Sequence, residues 1–280
     1  MGGARFADKL AAAVARNDSL LCVGLDPDPA QMPEPVRERP DWLTRFAAGI
    51  VEATADLVCC YKPNLAFYEA LGEAGLAGLR ATLRAMPADV PVLLDAKRGD
   101  IGVSARAYAA ALFDDLGADA VTVSPYLGFD TLEPFLAYGD RGVFVLCKTS
   151  NPGAAEFQDQ LVAMNGSFRP LYESVAAAAV RANQHGNVGL VVGATHPEAF
   201  RNVRAVAPDL PLLVPGVGAQ GGDLAMAVDE GQDRRGGGLL VASSRAILYA
   251  SRGADWQAEA RDAAWELRGA INARRQGRAD

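Results

Sequence analysis

The chain has 280 residues, half of them hydrophobic and 22% charged, a composition that supports a large buried core and argues against disorder. Its formal charge of −7 argues against a broadly basic nucleic-acid surface, so an anionic ligand would need a local cationic site. With two histidines, His185 and His196, there is little material for a histidine-held metal or a Ser-His-Asp triad.

In chain order, residues 1–15 read as an amphipathic helix carrying Arg5, Asp8 and Lys9, without the unbroken apolar stretch of a signal peptide. No uncharged apolar stretch approaches the length of a bilayer span, so a soluble, cytoplasmic protein with no membrane partner is expected. Apolar runs at 20–25, 57–61, 90–94, 118–123, 142–147, 187–192, 210–214 and 238–241 read as eight strands. Between them, 42–57, 76–86, 104–116, 168–183 and 224–229 have helical periodicity, and 255–275 reads as a closing helix with a frayed basic tail at 274–278. The Pro-rich stretch 27–40 reads as a long first loop, and 151–168 as a loop excursion. His196-Pro197 marks a helix start. Cys22, Cys59, Cys60 and Cys147 lie in apolar runs with no CxxC pair, as reduced core residues do.

Strands that are apolar on both faces belong to a parallel sheet covered by helices. Eight βα units in about 250 residues predict a single-domain α/β (β/α)₈ TIM barrel, with an eight-stranded doubly wound sheet as the alternative. The barrel is favoured because nearly every run ends in polar or special residues: Asp26, Lys62, Asp95 with Lys97, Ser124, Lys148 to Ser150, Thr195, Gly216 to Gln220, and Ser243 to Arg245. Only a barrel brings eight such ends to one mouth.

The densest chemistry is Asp95-Ala96-Lys97-Arg98-Gly99-Asp100, directly after an apolar run. Strand alternation sends Asp95 and Lys97 to one side, and Asp100 returns from the loop beyond. Such residues also occur in solvated turns, but two carboxylates focused on one ammonium at a strand end suit catalysis. A second feature is Pro215-Gly216-Val217-Gly218-Ala219-Gln220-Gly221-Gly222, where glycines admit backbone N–H groups close to a ligand and a helix starts at Asp223. This anion cradle follows the seventh strand, and the eighth ends in Ser243-Ser244-Arg245, so both phosphate loops of a barrel carry suitable groups. Arg245 offers a bidentate guanidinium.

Taken with Leu25-Asp26, Tyr61-Lys62-Pro63-Asn64 and Thr149-Ser150-Asn151-Pro152-Gly153, these elements resemble the orotidine 5′-monophosphate decarboxylases, in particular their longer bacterial subgroup, over nearly the whole chain. The resemblance implies a cofactor-free and metal-free decarboxylation of orotidine 5′-monophosphate to uridine 5′-monophosphate, the last step of pyrimidine nucleotide synthesis. It implies Lys97 as the cation and proton donor at C6, Asp95 beside the substrate carboxylate, and Lys62 with Asp26 on the ribose hydroxyls. Ser150 would read the pyrimidine edge. Pro215, Gln220, Ser244 and Arg245 would hold the phosphate, with the backbone donor at Ser243 or Ser244 left open. It further implies a homodimer in which Asp100 crosses into the neighbouring subunit's site. One departure is Ser244, where shorter relatives place glycine before the arginine. No catalytic residue is expected within 154–167.

Three rivals share parts of this pattern. A metal-dependent sugar-phosphate enzyme of the same barrel group would share DxKxxD, though Lys62 and Ser150 suit a nucleotide better. A Schiff-base aldolase would use Lys97 or Lys148 as nucleophile, which flanking carboxylates oppose at Lys97. A phosphate-binding barrel without turnover would not need the full charged array.

Overall fold

The computed structural model describes residues 4–164, 166–217 and 222–276. Among them run the strands β1 (Leu21–Leu25), β2 (Cys60–Pro63), β3 (Leu93–Arg98), β4 (Ala120–Val123), β5 (Gly142–Lys148), β6 (Leu161–Met164), β7 (Ser167–Pro170), β8 (Val188–Val192), β9 (Leu212–Val214) and β10 (Leu239–Ser243). Eight pair in parallel in the order β2-β1-β10-β9-β8-β5-β4-β3. Isolated parallel bridges Tyr61↔Val92 and Asn64↔Asp95 then join β2 to β3 and close the ring. The fold is the (β/α)₈ barrel, not the open doubly wound sheet.

Two cores explain why the strands are apolar on both faces. Inside the ring, Cys22, Cys60, Leu93, Ala120, Phe144, Val191, Leu213 and Leu240 fill the barrel, while the outer faces pack against the helices. The helix Phe6–Asn17 plugs one end by setting Phe6 edge-on to Phe144, with ring centroids 5.8 Å apart. Glycine makes this fit possible: a Cβ on Gly142 would lie 2.6 Å from the Phe6 ring, and one on Gly189 would lie 2.5 Å from Phe144.

Several boundaries shift. The first helix is Phe6–Asn17 rather than 1–15, of which 1–3 lie outside the described residues. β2 begins at Cys60 and not at 57, because the chain leaving the helix Trp42–Thr54 is still turning there, with Leu57 N–H on Thr54 C=O. β3 runs to Arg98, so Asp95 and Lys97 lie within a strand and not after one. The helix expected over 104–116 is Gly102–Ala110 followed by a π turn, Ala111–Asp115.

The excursion at 151–168 carries structure of its own: a 3-10 turn Pro152–Ala154, a helix Ala155–Gln158 and the antiparallel hairpin β6–β7. The residues expected to open the next helix at 168 belong to β7, and that helix is Leu171–Ala182. At the C-terminus, Arg274 and Arg275 are not frayed. They pair with Asp229 and Asp18 at the end of the helix Trp256–Gln276. Among the described residues, no helix is long and apolar enough to cross a membrane.

Candidate active site

A cavity of about 790 Å³ opens where the strands of the barrel end. Asp26, Lys62, Asp95, Lys97, Ser150, Pro215, Ser244 and Arg245 all line it, brought together from β1, β2, β3, β5, β9 and β10. These residues are far apart in sequence and meet because a barrel directs every strand to the same mouth. Gln220 lies outside the described residues. Asp100 does not line the cavity, and its carboxylate accepts the Ile101 N–H at 2.7 Å.

At the floor, the buried Asp95 carboxylate is divided between two ammonium groups. Lys62 Nζ donates to Oδ2 at 3.1 Å and Lys97 Nζ to Oδ1 at 2.6 Å. Lys62 is 7% exposed and Lys97 48%, so one cation is nearly buried in the cavity wall and the other reaches into the cavity. Burial alone would push the Asp95 carboxyl up, but Lys62 and Lys97 outweigh it and hold the group well below the ordinary carboxylate range. Burial would likewise lower the Lys62 ammonium, yet Asp95 and Asp26 hold it above the ordinary lysine value.

The backbone at Lys97 departs from regular strand geometry. The β3–β4 register shifts between Leu94 and Arg98, and Lys97 takes a φ of 47°, a left-handed conformation that costs a non-glycine residue energy. The bulge redirects the lysine, so simple alternation is not what brings Lys97 to Asp95. It also takes the Lys97 N–H out of the ladder, and Thr122 receives it. The Thr122 hydroxyl accepts this N–H at 2.9 Å and donates to Asp95 Oδ1 at 2.8 Å. Thr122 was not singled out in the sequence, where its signal is a lone polar residue inside the apolar run of β4.

Around the rim, Asp26 Oδ1 is buried with no hydrogen-bond partner among the described residues. An orphaned acceptor on a cavity wall is suited to a ligand hydroxyl. Tyr249 braces this wall, donating its hydroxyl to the Asp26 carbonyl at 3.0 Å and accepting the Asp28 N–H at 2.7 Å. On the cavity wall Gly216 has a φ of 91°, and a Cβ on Gly222 would lie 2.5 Å from its carbonyl, so the two described ends of the cradle meet only with glycine at both positions, while 218–221 lie outside the described residues. Arg245, exposed at the start of the helix Arg245–Leu248, faces the same cavity. One end is therefore built for an anion and the floor for a charged reaction centre. No cluster of three or more His, Cys, Asp or Glu that could hold a metal occurs among the described residues. Lys148 does not line the cavity, its ammonium being 2.5 Å from Asp159.

A model of the orotidine 5′-phosphate decarboxylase / HUMPS family matches residues 19–262. The chain belongs to this family. It is 54% identical to the orotidine 5′-phosphate decarboxylase of Roseiflexus castenholzii, covering 96% of this chain and 97% of that one. With the enzyme of the same name from Azoarcus it shares 51% identity, over 96% of this chain and 99% of that one. Among solved structures, the Leishmania donovani OMP decarboxylase superposes with a TM-score of 0.85 at 44% identity, covering 97% of this chain and 99% of that one. The family membership thus bears out the resemblance drawn from the motifs.

Proposed function

We propose that this chain decarboxylates orotidine 5′-monophosphate to uridine 5′-monophosphate and CO₂, the final step of UMP biosynthesis, as a carboxy-lyase that needs no cofactor or metal. The relatives named above support the reaction. The observation that carries the assignment of residues is Asp95 held between Lys62 and Lys97 on the cavity floor. Both carboxylate oxygens are taken by ammonium groups, which disfavours Asp95 as a metal ligand and so the sugar-phosphate alternative.

With the phosphate at Gly216 and Arg245, the ribose hydroxyls meet Asp26 and Lys62, and the pyrimidine carboxylate comes against Asp95. The C6–carboxylate bond breaks, its electron pair stays on C6, and CO₂ departs. The Lys97 ammonium faces the developing carbanion, lowers its energy in a site shielded from water, and gives its proton to C6. Water restores that proton to the amine. Asp95 serves twice, keeping Lys97 charged and oriented and opposing the substrate's carboxylate until it leaves. Gln220 joins the phosphate set on the strength of the motif, as does Ser244 or its neighbour Ser243.

The same reading includes a homodimer. Asp100 is followed in sequence by exposed apolar side chains, with Ile101 64% and Val103 72% exposed, and Tyr126 in the loop after β4 is 79% exposed. Such a surface beside the mouth suits a twofold contact that carries Asp100 to the partner's Lys97. The chain then acts as one barrel domain in the cytoplasm, with reduced cysteines and no nucleic-acid partner.

The test is loss of orotidine 5′-monophosphate absorbance in buffer with EDTA. Turnover by the native chain and a fall of at least 10³-fold in Lys97→Ala are expected. A native chain inert until a divalent metal or another sugar phosphate is added would reject the assignment.

A further inference from the structure

The end of β5 is fastened to the excursion at two consecutive residues. Lys148, 1% exposed, places its ammonium 2.5 Å from Asp159 Oδ1 and 5.7 Å from the centre of the Tyr172 ring. Beside it, the Thr149 N–H donates to Gln158 Oε1 at 2.9 Å, and Gln158 Nε2 donates back to Thr149 Oγ1 at 2.8 Å. Gln158 and Asp159 are themselves adjacent, at the end of the helix Ala155–Gln158.

Ser150 follows directly and is confined from its other side. Thr195 Oγ1 donates to its carbonyl at 3.3 Å, and a Cβ on Gly193 would stand 2.7 Å from its amide nitrogen. Thr149, Ser150 and Gln158 line the cavity, whereas Lys148 and Asp159 do not. The ion pair is thus outside the cavity and one residue removed from its wall. Asp159 is 44% exposed but the Lys148 ammonium is buried and costly without its carboxylate, so displacing Asp159 is penalised at the lysine end, and the Thr149–Gln158 bonds couple that end to Ser150.

We propose that the Lys148–Asp159 ion pair, with the reciprocal Thr149–Gln158 hydrogen bonds, is a positioning device that fixes Ser150 on the cavity wall and thereby sets affinity for the nucleobase. This rests on the cavity being a nucleotide site with Ser150 at the pyrimidine edge. Lys148 and Asp159 touch no substrate, and their effect passes through the wall residues. The hairpin β6–β7, which directly follows Asp159 and Gln160, would then be the outer part of a structure whose inner edge is a specificity element.

Titration calorimetry of the full-length chain with uridine 5′-monophosphate and with ribose 5-phosphate, which has no base, separates this role from general support of the fold. Asp159→Asn is expected to weaken uridine 5′-monophosphate binding about tenfold while ribose 5-phosphate stays within about twofold, and to lower kcat/KM about tenfold through KM. Asp159→Asn alone strands a buried charge and can compromise folding. Lys148→Met/Asp159→Asn removes both charges and carries the same expectation. If both ligands weaken together, or neither changes in a folded variant, the positioning role is overturned and the nucleotide site stands. A wild-type chain that binds ribose 5-phosphate but no uridine 5′-monophosphate overturns both.

Discussion

Thr122→Val is the sharpest probe of the catalytic floor, because it changes one hydroxyl and almost no volume. Thr122 is 1% exposed, and its hydroxyl both donates to Asp95 and accepts the N–H of Lys97. A hydrogen bond to a charged group contributes about 1.5–3 kcal/mol, and a buried N–H left without a partner costs about 1–3 kcal/mol. The Lys97 amide is partly accessible in its bulge, so water recovers part of the second cost. A net loss of about 2–3 kcal/mol in stability is expected, read as a lower urea midpoint with unchanged slope. Catalysis should suffer more than folding. The hydroxyl pins the left-handed backbone from which the Lys97 ammonium is aimed, and a displacement of about 1 Å at a reacting group costs about 10²-fold. We therefore expect kcat to fall about 10²-fold with KM within about threefold, measured by orotidine 5′-monophosphate absorbance. Thr122→Ser should recover most of both losses. A folded Thr122→Val chain with kcat within twofold of wild type would refute the claim that this hydroxyl aims Lys97.

Four further outcomes follow from the structure. Asp95 has a carboxyl held below its ordinary value of 3.8, so its contribution to stability is complete above about pH 4 and is lost as pH falls through the depressed folded value; urea midpoints measured against pH should show a shallower acid slope for Asp95→Asn. Lys62→Met leaves the buried Asp95 with Lys97 as its one ammonium partner among those described, and a stability loss of about 3–5 kcal/mol with a large fall in kcat is expected from paired unfolding and turnover measurements. If the proposed homodimer carries Asp100 into its neighbour's site, mixing inactive Lys97→Ala with inactive Asp100→Asn should restore activity through hybrid dimers that hold one intact site each, and no recovery after subunit exchange would reject the shared site. Arg204 donates to five carbonyls, those of Gly231, Ala207, Pro208, Leu210 and Gly238, and burial pushes its guanidinium down to about 10; Arg204→Met should cost about 3 kcal/mol in chemical denaturation while leaving kcat of the folded fraction unchanged.

The chemistry of the floor was legible because it is concentrated in one short segment. Asp95 and Lys97 are two residues apart and Lys62 ends its own apolar run, whereas Asp100, read as part of the same group, does not line the cavity. The glycine cradle and Arg245 could likewise be read from residue types with few other uses at the ends of buried strands. Thr122 was missed because a hydroxyl in a strand has no chemical signature until its neighbours are known. Lys148 illustrates the opposite error: as a lysine at a strand end it qualified as a nucleophile, but the folded chain turns it away from the cavity toward Asp159.

By itself, the sequence determined the number of barrel strands, their burial on both faces and the polar residues at their ends, since these are properties of composition and period along the chain, whereas the hairpin β6–β7 inside the excursion went unread. That favoured the barrel over an open doubly wound sheet, because polar ends on eight strands share one mouth only in a barrel, and the bridges between β2 and β3 decided it. Tertiary structure alone decided which charges meet and how they are aimed. The bulge at Lys97, the division of Asp95 between two lysines, and the fastening of the excursion at Lys148 each depend on contacts between segments that are distant or out of register in sequence. Hydrophobic period is a local signal that survives in one dimension. Electrostatic pairing acts over a few ångströms, and which groups come that close is set only when the ring closes.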